Sequence, residues 1–96
     1  MNPNEAKVRA IHESIRQNLL QDWDPIGVRD AVEAQDEYDG YVGSIYRVLA
    51  SDASTQAIAE HLARTQTDAM GLHASARSLL PVAVRLKQID VALRPA

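Results

Sequence analysis

Residues 8–19 read Val8-Arg9-Ala10-Ile11-His12-Glu13-Ser14-Ile15-Arg16-Gln17-Asn18-Leu19. Val8, Ile11, Ile15 and Leu19 fall at spacings of three, four and four, which puts them on one stripe of an α-helix. Arg9, Glu13, Arg16 and Gln17 lie off that stripe. The pattern predicts a helix that starts near Asn2, with Pro3 at its first position, where a missing N–H costs nothing. It ends near Asp22, before Pro25.

The same period recurs downstream. A second helix is predicted over Asp36–Ala50, with Tyr38, Tyr41, Val42, Ile45, Val48 and Leu49 on one face. Asp36 would be its N-cap, and Asp36, Glu37 and Asp39 would sit at the positive end of its dipole. A third runs from Ser54, as its cap, to Met70; its inner stripe is Ile58, Leu62, Thr65 and Ala69. Gly71 would end it, with Leu72 supplying the apolar contact of that ending. A fourth starts between Ser78 and Pro81, since the first turn tolerates proline, and turns Val82, Leu86, Ile89 and Leu93 inward. Residues 22–35 are left as a connection with a helical turn near Ala31–Ala34. Trp23, Ile26 and Val28 are expected to plug the core from it, Trp23 with its indole N–H bonded. Four helices on short turns predict an all-α fold, either a four-helix bundle or a compact orthogonal helical array, in one domain over residues 1–96.

Composition narrows the function classes. At 46% hydrophobic and 24% charged, the chain has globular rather than disordered composition. It has no cysteine, so disulfides, thiolate nucleophiles and thiolate metal sites are excluded. No stretch reads as a signal peptide or a membrane span, which predicts a cytoplasmic protein with no membrane partner. Net charge is −3, unevenly placed. Residues 22–39 hold seven acids, Asp22, Asp24, Asp30, Glu33, Asp36, Glu37 and Asp39, against Arg29 alone. Residues 61–96 carry an excess of bases, with Arg77, Arg85, Lys87 and Arg94 near the fourth helix. That face reads as solvated rather than as a nucleic-acid surface, and no nucleic-acid partner is expected.

Motifs with chemistry are few. Asp22, Asp24, Gly27, Asp30 and Glu33 occupy positions 1, 3, 6, 9 and 12 of a calcium-loop template, but Ile26 stands at position 5 and Arg29 at position 8. Asp22, Asp24 and Glu33 are thus weak metal candidates, and no metal or cofactor is expected. His12-Glu13 is followed by Arg16 where a zinc-protease helix needs a second histidine; His61 and His73 straddle a helix end. No serine elbow, phosphate loop or dinucleotide fingerprint is present, so no catalytic residue is assigned.

One feature of the second helix resists a plain core reading. Gly40, Gly43, Ser44 and Arg47 cluster opposite its apolar face, although each glycine inside a helix costs about 1 kcal/mol relative to alanine. Either the helix begins after Gly40, or this is a smooth strip for another backbone. The candidate partner surface is therefore Asp30, Glu33, Asp36, Glu37 and Asp39 with Gly40, Gly43 and Arg47, while Trp23, Pro25 and Tyr41 are structural.

The run Trp23-Asp24-Pro25-Ile26-Gly27-Val28, then Asp36-Glu37-Tyr38-Asp39-Gly40-Tyr41 and Ile45-Tyr46-Arg47-Val48-Leu49, resembles a family of short bacterial proteins of unknown function. Met70-Gly71-Leu72 after an amphipathic helix fits the same pattern. The resemblance implies a small helical fold and a bacterial, cytoplasmic source, and it brings no catalytic residues; some relatives look like immunity-type proteins encoded beside toxins. The leading expectation is a non-enzymatic protein-binding module, an inhibitor or immunity-type protein being one form, that docks a basic partner through its acids. The alternatives are a small metal-dependent or hydrolytic enzyme using the acids of residues 22–39, and a homo-oligomeric structural protein docking through the second helix. Acids converging on one pocket would mark the enzyme; acids spread over exposed surface would mark the binder.

Overall fold

Each apolar stripe needs another to cover it, and four helices here cover one another. The computed structural model describes residues 3–93. Helix α1 spans Pro3–Asn18 and runs on into a π-helical turn, Leu19–Trp23; α2 spans Asp39–Ala50, α3 Thr55–Met70 and α4 Leu80–Lys87. Short 3-10 turns lie at Val32–Ala34 and Arg77–Leu79. There is no strand among the described residues. α1 packs on α2 and α4, and α3 packs on the same two, so the helices form a ring around a shared core. The shortest extent of the molecule, 19 Å, is about two packed helices.

The core takes Ile11, Ile15, Leu19 and Leu20 from the first segment, and Val42, Ile45 and Leu49 from α2. Ile58, Ala59 and Leu62 come from α3, and Val82, Ala83 and Leu86 from α4. Trp23 and Tyr38 close it from the connection. Val8, the first member of the opening stripe, is only half-buried.

Several boundaries differ from those the sequence predicts, each for a local reason. The first helix ends where expected, at Trp23 beside Asp22 and before Pro25, but not as a plain α-helix. Its last turn widens, and the Asp24 N–H reaches back five residues to the Leu19 carbonyl at 2.9 Å. A π turn holds one residue more than an α turn, which lets Leu19, Leu20 and Trp23 all face the core. Asp24, left-handed at φ 36°, then ends the helix.

α2 starts at Asp39 rather than Asp36, and no side chain caps it. The preceding chain is drawn inward at Tyr38, which is 1% exposed. Consecutive turn bonds, Glu37 N–H to Ala34 O at 3.1 Å and Asp39 N–H to Asp36 O at 3.1 Å, carry the backbone to that point. Both Gly40 and Gly43 therefore lie inside the helix.

Ser54 caps α3 by accepting the Ala57 N–H at 3.0 Å, and Gly71, at φ +67°, ends it in the left-handed conformation. Thr65 is half-buried and Ala69 exposed, so the inner stripe is Ile58, Ala59 and Leu62. The Leu72 N–H returns to the Gln66 carbonyl at 3.0 Å, the backbone bond of that ending, while its side chain is 37% exposed.

α4 begins in the predicted window with Pro81 in its first turn, but it stops at Lys87. Ile89 is half-buried and Leu93 is 42% exposed, so the inward stripe ends at Leu86. The tail is held instead by Asp90, whose carboxylate accepts the Ala92 N–H at 3.0 Å and pairs with Lys7 of α1 at 3.0 Å. The expected helix start at Asn2 and the base Arg94 lie outside the described residues.

Candidate functional site

The acidic connection is built around one carboxylate. Asp24 sits where the π turn ends and Pro25 forbids further helix, and its side chain is 5% exposed. Its Oδ1 accepts the Val28 N–H at 2.7 Å and the Tyr38 hydroxyl at 2.8 Å. Its Oδ2 accepts the Arg29 N–H at 3.2 Å, with the Arg29 Nε at 3.5 Å. Gly27, at φ +69°, supplies the left-handed turn that brings those amides round. Burial by itself opposes the charged form, but the Val28 amide, the Tyr38 hydroxyl and the Arg29 amide and charge outweigh it and hold the Asp24 carboxyl below its ordinary range.

Tyr38 completes the arrangement. Its hydroxyl also accepts the Ile26 N–H at 3.1 Å, and burial, opposed by that bond and reinforced by Asp24, pushes the phenol up to about 12. The Trp23 ring lies 5.5 Å from Tyr38 and 6.1 Å, edge-on, from Tyr41. The Trp23 indole N–H donates to Gln66 Oε1 at 3.1 Å, which ties the connection to α3. Ile26 does not plug the core: it is 42% exposed, because the turn that presents its N–H to Tyr38 carries its side chain outward. Val28 is half-buried.

With the connection anchored, its seven acids separate into two groups. Asp22 pairs with Arg85 of α4 at 2.7 Å, Asp24 with Arg29, and Asp39 with the Arg16 Nε at 2.8 Å. The Asp39 hydrogen bond, with its charge, raises the Arg16 guanidinium further. Asp30, Glu33, Asp36 and Glu37 are exposed and have no ion-pair partner among the described residues. They occur within eight residues of sequence, on a segment whose own shape is fixed by Gln35 Nε2 donating to the Arg29 and Ala31 carbonyls at 2.9 and 3.0 Å. Val32, in the midst of these acids, is 84% exposed.

The calcium-loop candidates do not meet. Asp22 turns to α4, Asp24 is committed to its own loop and Glu33 faces outward; no group of three or more metal-ligating side chains occurs among the described residues. Two of the basic residues around α4 are tied down, Arg85 by Asp22 and Lys87 by the Ala53 carbonyl at 2.6 Å.

On α2, Gly40, Gly43 and Arg47 are exposed. A methyl group at either glycine would meet nothing within 4 Å, so no neighbouring backbone among the described residues explains them. Ser44 departs from that face: its hydroxyl donates to the Tyr41 carbonyl at 3.0 Å and lies 3.2 Å from the His61 Nε2 of α3. Burial, followed by the charge of Arg64, lowers the His61 pKa from its ordinary value. The Asp24–Tyr38 pair escapes a reading of sequence alone. The Asp-Pro-x-Gly turn signals a side chain bonding to nearby amides, but nothing in the pattern marks the tyrosine fourteen residues on. No family model, curated protein or solved structure matches the chain.

Proposed function

We propose that this protein is a non-enzymatic binding module whose α1–α2 connection docks a basic protein partner, with Asp30, Glu33, Asp36 and Glu37 as the docking charges. The observation that carries the reading is the split among the acids. Three of the seven are used in holding the fold, and the other four stand exposed on an anchored loop with no ion-pair partner among the described residues. Like charges brought together in the folded state repel, modestly at exposed positions and less in salt. A field of one sign on an exposed surface raises the encounter rate with a partner of the other sign. Val32 supplies an apolar contact within that field, and the exposed Gly40/Gly43/Arg47 face of α2 continues from its C-terminal end. The dispersal of the carboxylates favours docking over a hydrolytic or metal-dependent site, which needs them to converge. An inhibitor or immunity-type protein of a bacterial cytoplasm is the form suggested by the resemblance of residues 23–49.

The test is affinity capture from the source cell at low salt, using the wild type and a variant carrying Asp30→Asn, Glu33→Gln and Glu37→Gln. The wild type is expected to retain a basic protein that salt releases and the variant does not hold. Equal retention by both would remove the acids from the interface.

A further inference from the structure

We infer that a small cleft between the α1–α2 connection and the C-terminal end of α3 receives an arginine side chain of the partner; this rests on the docking reading above and supplies its central contact. The cleft has a volume of about 220 Å³ and is lined by Ile26, Glu37, Tyr38, Tyr41, Ala69 and Met70. That is below the range of about 300 Å³ and upward typical of small-molecule sites, and it suits a single long side chain.

Three features select a cation. Glu37 is the sole charged residue of the lining, and it is exposed, with no ion-pair partner among the described residues. Ala69 and Met70 are the last two residues of a 16-residue helix, so the cleft opens at the negative end of its dipole, where a cation is stabilised. The last turn of that helix has no base to occupy the position and instead carries the exposed Asp68. An anionic group would meet repulsion from each of these.

Other features select arginine over lysine. Ile26, 42% exposed, and half-buried Met70 offer apolar surface to a long aliphatic stem. Tyr41 offers a ring against which a flat, weakly hydrated guanidinium stacks better than a compact ammonium. The Tyr38 hydroxyl is occupied by Asp24 and the Ile26 amide, which leaves Glu37 as the carboxylate to take the guanidinium fork.

The test is a two-dimensional NMR titration at low salt with hexa-arginine and hexa-lysine peptides against the wild type, Glu37→Gln and Glu33→Gln. Circular dichroism confirms that each variant is folded. Hexa-arginine is expected to shift the Ile26, Tyr41 and Met70 signals saturably. Glu37→Gln should weaken it about fivefold, the effect of roughly one partly shielded ion pair. Glu33→Gln should weaken it about twofold or less, and hexa-lysine should bind several-fold more weakly than hexa-arginine. Shifts confined to residues 30–36, with both variants weakened equally, would overturn the cleft and leave the docking reading standing. Equal affinity for the two peptides at the same signals would overturn the arginine assignment. Failure of both peptides to bind the wild type would overturn the docking reading itself.

Discussion

Replacing Asp24 by alanine would leave the Val28 amide and the Tyr38 hydroxyl without their acceptor at a site with 5% exposure, and would put a residue with no local side-chain bond into the left-handed region. The expected cost is about 3 kcal/mol, since charge-assisted bonds are broken and buried donors stranded. Asp24→Asn keeps an oxygen acceptor and tolerates the conformation, so it should lose about half as much; denaturant unfolding of the two variants measures both. His61 gives a second expectation at this scale. Its pKa is depressed in the folded state by burial and then by Arg64, so the unfolded chain binds its proton more tightly. Stability from this site is therefore present in full above the ordinary value of 6.5 and is lost as pH falls through the lower folded value. Unfolding midpoints between pH 8 and 5 should decline for the wild type, and His61→Gln should remove that part of the slope. A slope unchanged in His61→Gln would assign it to other groups.

Among the elements, α2 is the most open to test. Gly43 lies mid-helix with open space where a methyl group would stand, so Gly43→Ala should stabilise the free protein by about 1 kcal/mol. For a domain of this size that is about 4–8 °C in Tm. Gly71→Ala should do the opposite, by about 1 kcal/mol or more, because φ is +67° there. If Gly43→Ala failed to stabilise, a neighbour would have to occupy the space beside it. The four helices were legible because each carries a 3.6-residue apolar stripe, and the Ser54 cap and Gly71 ending were legible because those signals are local. The π turn was not: its only trace is the adjacent pair Leu19-Leu20, which periodicity treats as a stray apolar residue. The start of α2 differs because Asp36, Glu37 and Asp39 together resemble a capped first turn, whereas the burial of Tyr38 delays the helix to Asp39. Leu93 was misplaced because its spacing from Ile89 continues the stripe arithmetically after the hydrogen-bond ladder has ended at Lys87.

At the scale of the whole molecule, the charge pattern of the sequence concealed a division of labour. Seven acids in residues 22–39 look alike in one dimension, but Arg85, Arg29 and Arg16 come from three separate parts of the fold to pair with Asp22, Asp24 and Asp39. No local pattern announces such pairings, and the four acids left over stand out only once the others have been matched. The cleft between Ile26, Glu37 and Met70 was likewise hidden, since it joins segments more than thirty residues apart in the chain. The central claim is that these unmatched acids steer a basic partner without serving the fold. The measurement that tests it most directly is the association rate with the protein captured by the wild type, followed by stopped flow across a range of salt, for the wild type and the Asp30→Asn, Glu33→Gln, Glu37→Gln variant. The wild-type rate should fall about tenfold from low to high salt, and the variant, equally folded, should be slow at low salt and nearly insensitive to it. Equal rates and equal salt slopes for the two proteins would contradict the account.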